Sequence, residues 1–453
     1  MVLLCAINFW DLPSKQTFVV LSEQYVQSIY KSVINLVSNN LTKAARLIGN
    51  PKSLFYYLKC GKRIRTDKLL KLLNFLSTRD SKFSPGVAQK HLIWIGPKHG
   101  KGIHNPRFPV DPQNPAFVRT AARACGDGIL TRIYAPRHGY GSLVYFAKED
   151  PEQLQNAIMD AITSFGGSAR IYRVNSGKDV YLVYPTVVRD ALLAAGVTTS
   201  PKAESKRGIL EFVMKSEREA VWAAWLQQTG DDEGHVVYHP QYNLYGIYWR
   251  RSVDITGLPL IIQLRINEGI PFYRLPIDAQ KYVTNHPPKM LLDEQELLNR
   301  FDITSTVRPL EIYQTLDGKL RAKWQLRVSG PDNLIQYGKK VGFRIARKSI
   351  TLAKAIKQCL SYEKFILPIL NNLRLKHGYL DGAMISAELG GSQVPHSDRV
   401  TMRAIVALRE MSKRGYIRKI SRGRYIKKLR KFILSRYDVT EKGIQRCDKI
   451  YKT

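Results

Sequence analysis

The sequence predicts an α+β protein: two similar αββαββα units with antiparallel sheets, flanked by a helical helix-turn-helix region and a basic winged helix-turn-helix region. Three observations predict it. The 453 residues exceed what one core usually holds, roughly 250 to 300 residues, and 44% hydrophobic content is enough for several packed interiors. The middle of the chain alternates helix-like and strand-like runs, and does so twice. Finally, 71 Lys and Arg against 37 acids leave a formal net charge of +34. Self-repulsion of that size calls for a polyanionic partner, either nucleic acid or an anionic membrane surface.

The membrane reading fails. No run reaches about 18 apolar residues, and the opening MVLLCAINFWDLPSK has no basic stretch before its apolar residues. The expectation is a soluble, intracellular (cytoplasmic) protein, nucleoid-associated when bound to its polyanion. Cys5, Cys60, Cys125, Cys359 and Cys447 are odd in number, far apart and without a C-x-x-C pair. They predict free thiols rather than disulfides or a zinc ribbon.

Pro, Gly and charge clusters place the predicted regions at 1–90, 112–200, 208–358 and 362–453. The first reads as helices. Leu41, Ala44, Ala45 and Ile48 share a helical face, Gly49 stops the helix, and Asn50-Pro51 provides a cap and first-turn proline for Lys52 to Lys59. So tight a turn between short helices resembles a helix-turn-helix that presents Lys52, Ser53, Tyr56 and Lys59. The plainer reading is a small helical bundle with a solvated basic face. The stretch Gly96 to Gly102 is not a phosphate loop: three residues separate its first two glycines where four are needed, and Gly102 stands where Ser or Thr should follow the Lys.

In the first middle unit, Asn114-Pro115 opens a helix running to Gly126. Strands at Ile129 to Tyr134 and Ser142 to Ala147 follow, then a helix from Asp150-Pro151 to Gly166-Gly167, strands at Ala169 to Val174 and Asp179 to Tyr184, and a helix near Val187 to Ala195. In the second, Ser216 to Glu219 fits a capping box for a helix through Val221, Trp222, Trp225 and Leu226, with both tryptophans expected in the core. Strands at Val236 to Tyr238 and Tyr245 to Arg250, a Pro-rich insertion, a strand at Leu320 to Val328 and a helix from Pro331 to Val341 complete it. The C-terminal region is the most basic, with 17 Lys/Arg against 4 acids from Thr401 onward. Its helices and the run Gly415 to Ile426, read as two short strands around a basic turn, suggest a winged helix with Arg418, Lys419, Arg422 and Arg424 on the wing.

Two events stand at matching places in the middle units: Gly126-Asp127-Gly128 and Asp231-Asp232-Glu233-Gly234. Each puts an acid and then a glycine at the end of a helix, just before a hairpin. One such tripeptide is weak evidence, because most are turns; the pair is far more specific. Here the sequence resembles the LAGLIDADG homing endonucleases in their single-chain, two-motif form. The copies are Thr120-Ala121-Ala122-Arg123-Ala124-Cys125-Gly126-Asp127-Gly128 and Leu226-Gln227-Gln228-Thr229-Gly230-Asp231-Asp232-Glu233-Gly234. Val328 to Leu334, with Gly342-Phe343 and Lys348, looks like the family's usual close of a half. The likeness covers roughly Pro112 to Leu360.

The resemblance implies two pseudo-symmetric LAGLIDADG halves whose motif helices pack side by side beneath saddle-shaped antiparallel sheets. It implies site-specific endonuclease activity on double-stranded DNA, with Asp127 and Glu233 as catalytic, metal-holding acids. The carbonyls of Gly126 and Asp232 would be secondary metal contacts. Hydrolysis of a phosphodiester needs charge neutralisation and an activated water, which carboxylate-held divalent ions supply; hard oxygen ligands favour Mg²⁺. On the sheets Arg132, Arg137, Arg170, Arg173, Arg250 and Arg251 are candidate DNA contacts. Small residues suit close helix packing in the first copy, but Gln227 and Gln228 stand in the second, where the family commonly keeps a glycine at the place of Gln228. Arg123 is also unusual beside an apolar pair. His235 and His239, on one strand face near Glu233, read as surface or DNA-facing rather than metal ligands. No small-molecule substrate is expected, and the pseudo-two-fold repeat predicts a monomer. Two alternatives share the fold: a DNA-binding transcriptional regulator without cleavage, and an intron RNA maturase.

Overall fold

A computed structural model describes residues 6–38, 40–126, 128–135, 139–148, 151–167, 170–173, 179–198, 206–239, 244–256, 269–388, 407–409, 411–412, 414–421, 424–426, 431–433 and 435–451. For 128–135, 139–148, 170–173, 179–181, 183, 238–239, 244, 362, 424–426, 431–433 and 451 the description is of the backbone alone.

The N-terminal region corrects the all-helical expectation. It contains β1 (Thr17–Leu21), α1 (Glu23–Leu36), α2 (Leu41–Ile48), α3 (Ser53–Lys59), β2 (Ile64–Arg65), α4 (Thr66–Ser77), α5 (Pro85–Gln89), β3 (Leu92–Pro97) and β4 (Ile103–His104). The strands form an antiparallel sheet in the order β2-β1-β3-β4, with Val19 opposite Ile95. Helices cover it: Leu54, Phe55 and Leu58 of α3 and Leu69, Leu72, Leu73 and Leu76 of α4 are buried at helical spacing. The α2–α3 turn is tight, as expected. Asn40 caps α2 through the amide of Lys43, and Gly49 ends it with φ 66°, a left-handed conformation that glycine adopts without penalty. Asn50 does not cap α3; it is buried, and its Nδ2 donates to the Lys68 carbonyl at 3.1 Å.

The first middle unit runs α6 (Pro115–Cys125), β5 (Gly128–Ala135), β6 (Gly139–Lys148), α7 (Pro151–Phe165), β7 (Arg170–Arg173), β8 (Asp179–Pro185) and α8 (Thr186–Ala194). Asn114 caps α6 through the amide of Ala116 with Pro115 in the first turn, and Gly166 and Gly167, both at positive φ, turn the chain after α7.

After the short helix α9 (Glu211–Met214), the second unit runs α10 (Glu219–Glu233), β9 (His235–His239), β10 (Leu244–Asp254), β11 (Ile270–Pro271), α11 (Ile277–Thr284), α12 (Lys289–Asn299), β12 (Ser305–Gln314), β13 (Leu320–Val328) and α13 (Pro331–Lys340). The capping box is replaced: α10 starts at Glu219, with Ser216 Oγ accepting from the Arg218 amide. Within the Pro-rich insertion lie α11, α12 and a full strand, β12. Its Pro309 weakens a strand reading, and the fold accommodates the ring at a bulge, where the register against β13 slips between Pro309 and Glu311.

Both sheets are antiparallel and share one strand order, β5-β6-β8-β7 in the first unit and β9-β10-β13-β12 in the second, with β11 added at the far edge. One continuous hydrophobic core joins the N-terminal region to both units, from Ile7 to Cys359. A separate core holds the C-terminal region, from Ile366 to Val439. There α14 (Ala346–His377) bridges the two, followed by α15 (Gly382–Glu388), β14 (Ile417–Ser421), β15 (Arg424–Ile426), β16 (Lys431–Ile433), β17 (Arg436–Val439) and α16 (Glu441–Tyr451). The expected pairing of two adjacent short strands is corrected to a nested ribbon: β14 pairs with β17, and β15 with β16. Cys60, Cys125, Cys359 and Cys447 are free thiols. Among the described residues no helix is long and apolar enough to cross a membrane.

Candidate nucleic-acid interface and acid site

The two motif helices, α6 and α10, pack against each other. Ala121, Ala122 and Ala124 are buried on α6, and Ala224, Trp225, Gln228 and Thr229 on α10. Small side chains let the first helix approach closely; the second is accommodated by hydrogen bonds instead. Gln227 Nε2 donates to the Val341 carbonyl at 3.0 Å, and the buried Gln228 donates to Asp232 Oδ1 at 2.8 Å. Trp225 is core, as expected, and the half-buried Trp222 packs edge-on against Phe301.

This packing brings the end of α10 to the end of α6. A β-carbon placed on Gly126 would stand 3.3 Å from Glu233 Oε1. Asp127, the expected partner acid, lies outside the described residues, and the described approach of Glu233 is to the neighbouring Gly126.

Glu233 is held from the sheet side. Arg251 Nη1 donates to Glu233 Oε1 at 3.1 Å, and Nη2 donates to Glu294 Oε1 at 3.1 Å. The other oxygen of Glu294 accepts from Trp249 Nε1 at 2.7 Å. Burial alone would lower the pKa of Arg251, but Glu233 and Glu294 more than reverse this and raise it. Arg251 is therefore corrected from a DNA contact to an internal counter-charge. The physical reason is strand periodicity: adjacent residues on β10 must point to opposite faces. Ile247, Trp249 and Val253 face the core and Arg251 follows them, whereas Arg250 is exposed on the outward face over the Tyr248 ring, 4.8 Å from its centroid.

The outward face continues across the sheet. Arg250 stands opposite Gln325, which stands opposite Arg308; Tyr248 is opposite Arg327, and Ser252 opposite Lys323. Arg308, Arg321, Lys323 and Arg327 thus join Arg250 on one polar, largely basic face. Lys323 is partly offset by its pairing with Glu311. None of these four emerged among the sequence candidates, although the strand Leu320 to Val328 alternates apolar residues strictly with Arg321, Lys323, Gln325 and Arg327. His235 lies on this side, stacked on Tyr248 at 5.3 Å. Burial and the cations of Lys348, Arg250 and Arg347 hold its pKa below the usual value.

Behind the motif helices lie two further networks, the first of which joins the units. Arg123, the odd residue of the first motif, is buried and donates to Asp160 Oδ2 of α7 at 2.7 Å. Arg119 and Arg344 donate to the same carboxylate at 2.9 and 2.6 Å. Arg344 comes from the loop after α13, so Asp160 ties the first unit to the second. Lys348 Nζ meets the carbonyls of Gly230 and Asp231 at 2.9 and 2.6 Å, countering the negative end of α10. Asp231 is buried and accepts from the Arg344 amide. Burial pushes its pKa up to about 7, against the opposing pull of that hydrogen bond.

For a divalent metal, Glu233 and the carbonyls of Gly126 and Asp232 are the hard oxygen donors on hand. The fit is partial. One Glu233 oxygen is already met by a guanidinium, and among the described residues no three His, Cys, Asp or Glu side chains cluster as a metal set.

The remaining expected residues are dispersed. Lys52 is exposed at the start of α3. Arg132 lies in β5, and Arg170 and Arg173 bound β7, with the backbone alone described. Arg418 is exposed on β14 and reaches Asp438 at 3.3 Å; Lys419 beside it is exposed. Arg424 lies in β15. Arg137 and Arg422 lie outside the described residues, and His239 is placed at the end of β9 by its backbone alone.

No protein-family profile matches the chain, and no curated protein does. Among solved structures, mesophilic variants of the homing endonuclease I-DmoI align at TM-score 0.29 and 10% identity, covering 51% of this chain and 97% of theirs. Full-length DUF199/WhiA from Thermatoga maritima aligns at TM-score 0.27 and 9% identity, covering 65% of this chain and 92% of its own. Scores this low establish nothing about the activity of this chain.

Proposed function

We propose that the protein binds double-stranded DNA across the outward faces of its two sheets and cuts the backbone where the motif helices meet, with Asp127 and Glu233 as the paired acids. The observation that carries this reading is the placement of Glu233 against the end of α6, beside Gly126. The basic outward face around Arg250 supports the duplex partner, because a two-sided antiparallel sheet with alternating cations suits phosphate and base-edge contacts. A divalent metal held there by Asp127 and Glu233, with the Gly126 and Asp232 carbonyls, would neutralise the scissile phosphate and activate water. Around that centre, Arg251 sets the position of Glu233, and Lys348 holds the end of α10 in place.

A second reading is favoured by one observation: the guanidinium of Arg251 already neutralises Glu233. A protein so arranged can bind DNA as a regulator without cutting it. The two separate in one experiment, incubation of the purified protein with Mg²⁺ and DNA carrying its own flanking genomic sequence. Cleavage by wild type, lost in both Asp127→Asn and Glu233→Gln while binding persists, is the expected result. Tight binding with an intact duplex leaves the regulator, and unaltered cleavage by either variant removes the acid assignment. Arg250→Glu with Arg308→Glu should weaken binding about tenfold or more and flatten its salt dependence.

A further inference from the structure

The basic stretch Gly96 to Gly102 has a structural role unrelated to a phosphate loop. It is the turn of the β3–β4 hairpin, wrapped over Trp94. A β-carbon on Gly96 or Gly102 would stand 2.7 or 2.5 Å from the Trp94 ring, so only glycine lets the hairpin close this tightly. On Trp94 lies the guanidinium of Arg63, 4.0 Å from the ring centroid. Arg63 Nη1 also donates to the Lys98 carbonyl at 2.9 Å. Arg63 and the hairpin are thereby fixed to each other.

Between this hairpin and α3 opens a cleft of about 610 Å³ with a largely apolar floor, and among its lining residues are the cations Lys15, Arg63, Arg65, Lys68 and Lys98. No acidic side chain is among its described lining residues. Of the five cations, only Arg65 is neutralised by a carboxylate among the described residues, that of Asp67 at 2.6 Å. Lys15, Arg63 and Lys98 are exposed, and so is Tyr57 of α3, which also borders the opening. Thr186 closes one side, and it directly follows β8, so the cleft sits at the end of a strand of the first sheet.

We propose that this cleft holds the sugar-phosphate backbone of the DNA duplex on the flank of the segment bound by the sheets. The N-terminal region then contributes a second binding surface, centred on the hairpin rather than on α3 alone. Five cations around one cleft, with Arg63 held in place and no acidic side chain among the described lining residues, suit a polyphosphate backbone. The proposal rests on duplex binding by the sheets, and its test separates the two.

The test uses a duplex of about 20 base pairs selected for binding, roughly 68 Å long, and the same site embedded in about 50 base pairs. Hydroxyl-radical footprinting of wild type should show protection extending beyond the short site on one side. In Lys15→Glu/Lys98→Glu that extension should vanish, with affinity for the long duplex reduced about fivefold or more. The log–log salt slope should shrink by about 0.9 for each phosphate that the variant no longer neutralises. Unchanged affinity for the short duplex in the same variant shows that it is folded and leaves the sheets intact. The inference is overturned if the variant retains both the extended footprint and wild-type affinity, or if unpaired DNA competes for the cleft better than duplex. Protection of the long duplex that is confined to the flank and lost in the variant, with the short site itself unprotected in wild type, would uphold the cleft and refute the sheet reading.

Discussion

Replacing Arg251 with Met tests the charge arrangement behind the candidate site most directly. The Arg251 side chain is 15% exposed and bridges Glu233, 17% exposed, to Glu294, 0% exposed, at 3.1 Å each. Without the guanidinium, Glu233 can rehydrate in part. Glu294 cannot; it keeps only the Trp249 Nε1 hydrogen bond and becomes a buried carboxylate without a counter-charge. Removing one partner of such a pair typically costs about 3 to 5 kcal/mol, and most of it here falls on Glu294. Adding Glu294→Gln removes the stranded charge and keeps an oxygen for Trp249, so the double variant should recover about half of the loss or more. Urea unfolding of the wild type, both single variants and the double variant gives the coupling energy through a double-mutant cycle. A loss below about 1 kcal/mol for Arg251→Met, or a double variant no more stable than the single, would refute the reasoning.

Two further outcomes follow from the networks behind the motif helices. Asp231 has a folded-state pKa raised to about 7, so the folded protein binds this proton more tightly than the unfolded chain does. Its contribution is fully present below the ordinary carboxylate value near 4 and is lost as pH rises to about 7, by up to about 4 kcal/mol for a shift of this size. Asp231→Asn should flatten the stability–pH curve between about pH 4 and 7, measured by urea unfolding; an unchanged slope in that window would contradict the assignment. Asp160 accepts from Arg119, Arg123 and Arg344 while only 2% exposed. Asp160→Asn leaves three cations around a neutral amide and should cost about 3 to 5 kcal/mol in the same assay, whereas a near-neutral effect would show that the arginines are solvated independently.

What could be read from local pattern alone was the sequence of elements in the middle of the chain. Asn114-Pro115 and Gly166-Gly167 mark helix ends by backbone chemistry, and the acid-glycine steps after Gly126 and Asp232 point to two helices of like design. The basic sheet face had a local sign that the candidate residues missed, the residue-by-residue alternation of Leu320 to Val328; the same rule separates Arg250 from Arg251, both candidate DNA contacts by sequence, which cannot both face outward. The N-terminal sheet was not legible, because Val19 finds Ile95 across 76 positions and short strands carry no local sign of so distant a partner. Nor was β12, whose Pro309 weakens a strand pattern until a bulge absorbs it. Only the tertiary structure decided which charges meet: Arg251 with Glu294 at 43 positions' separation and Arg344 with Asp160 at 184. Local sequence sets backbone preference and the face each side chain takes. A buried charge is stable only with a counter-charge, and which residue supplies it depends on the helices and sheets that packing brings side by side.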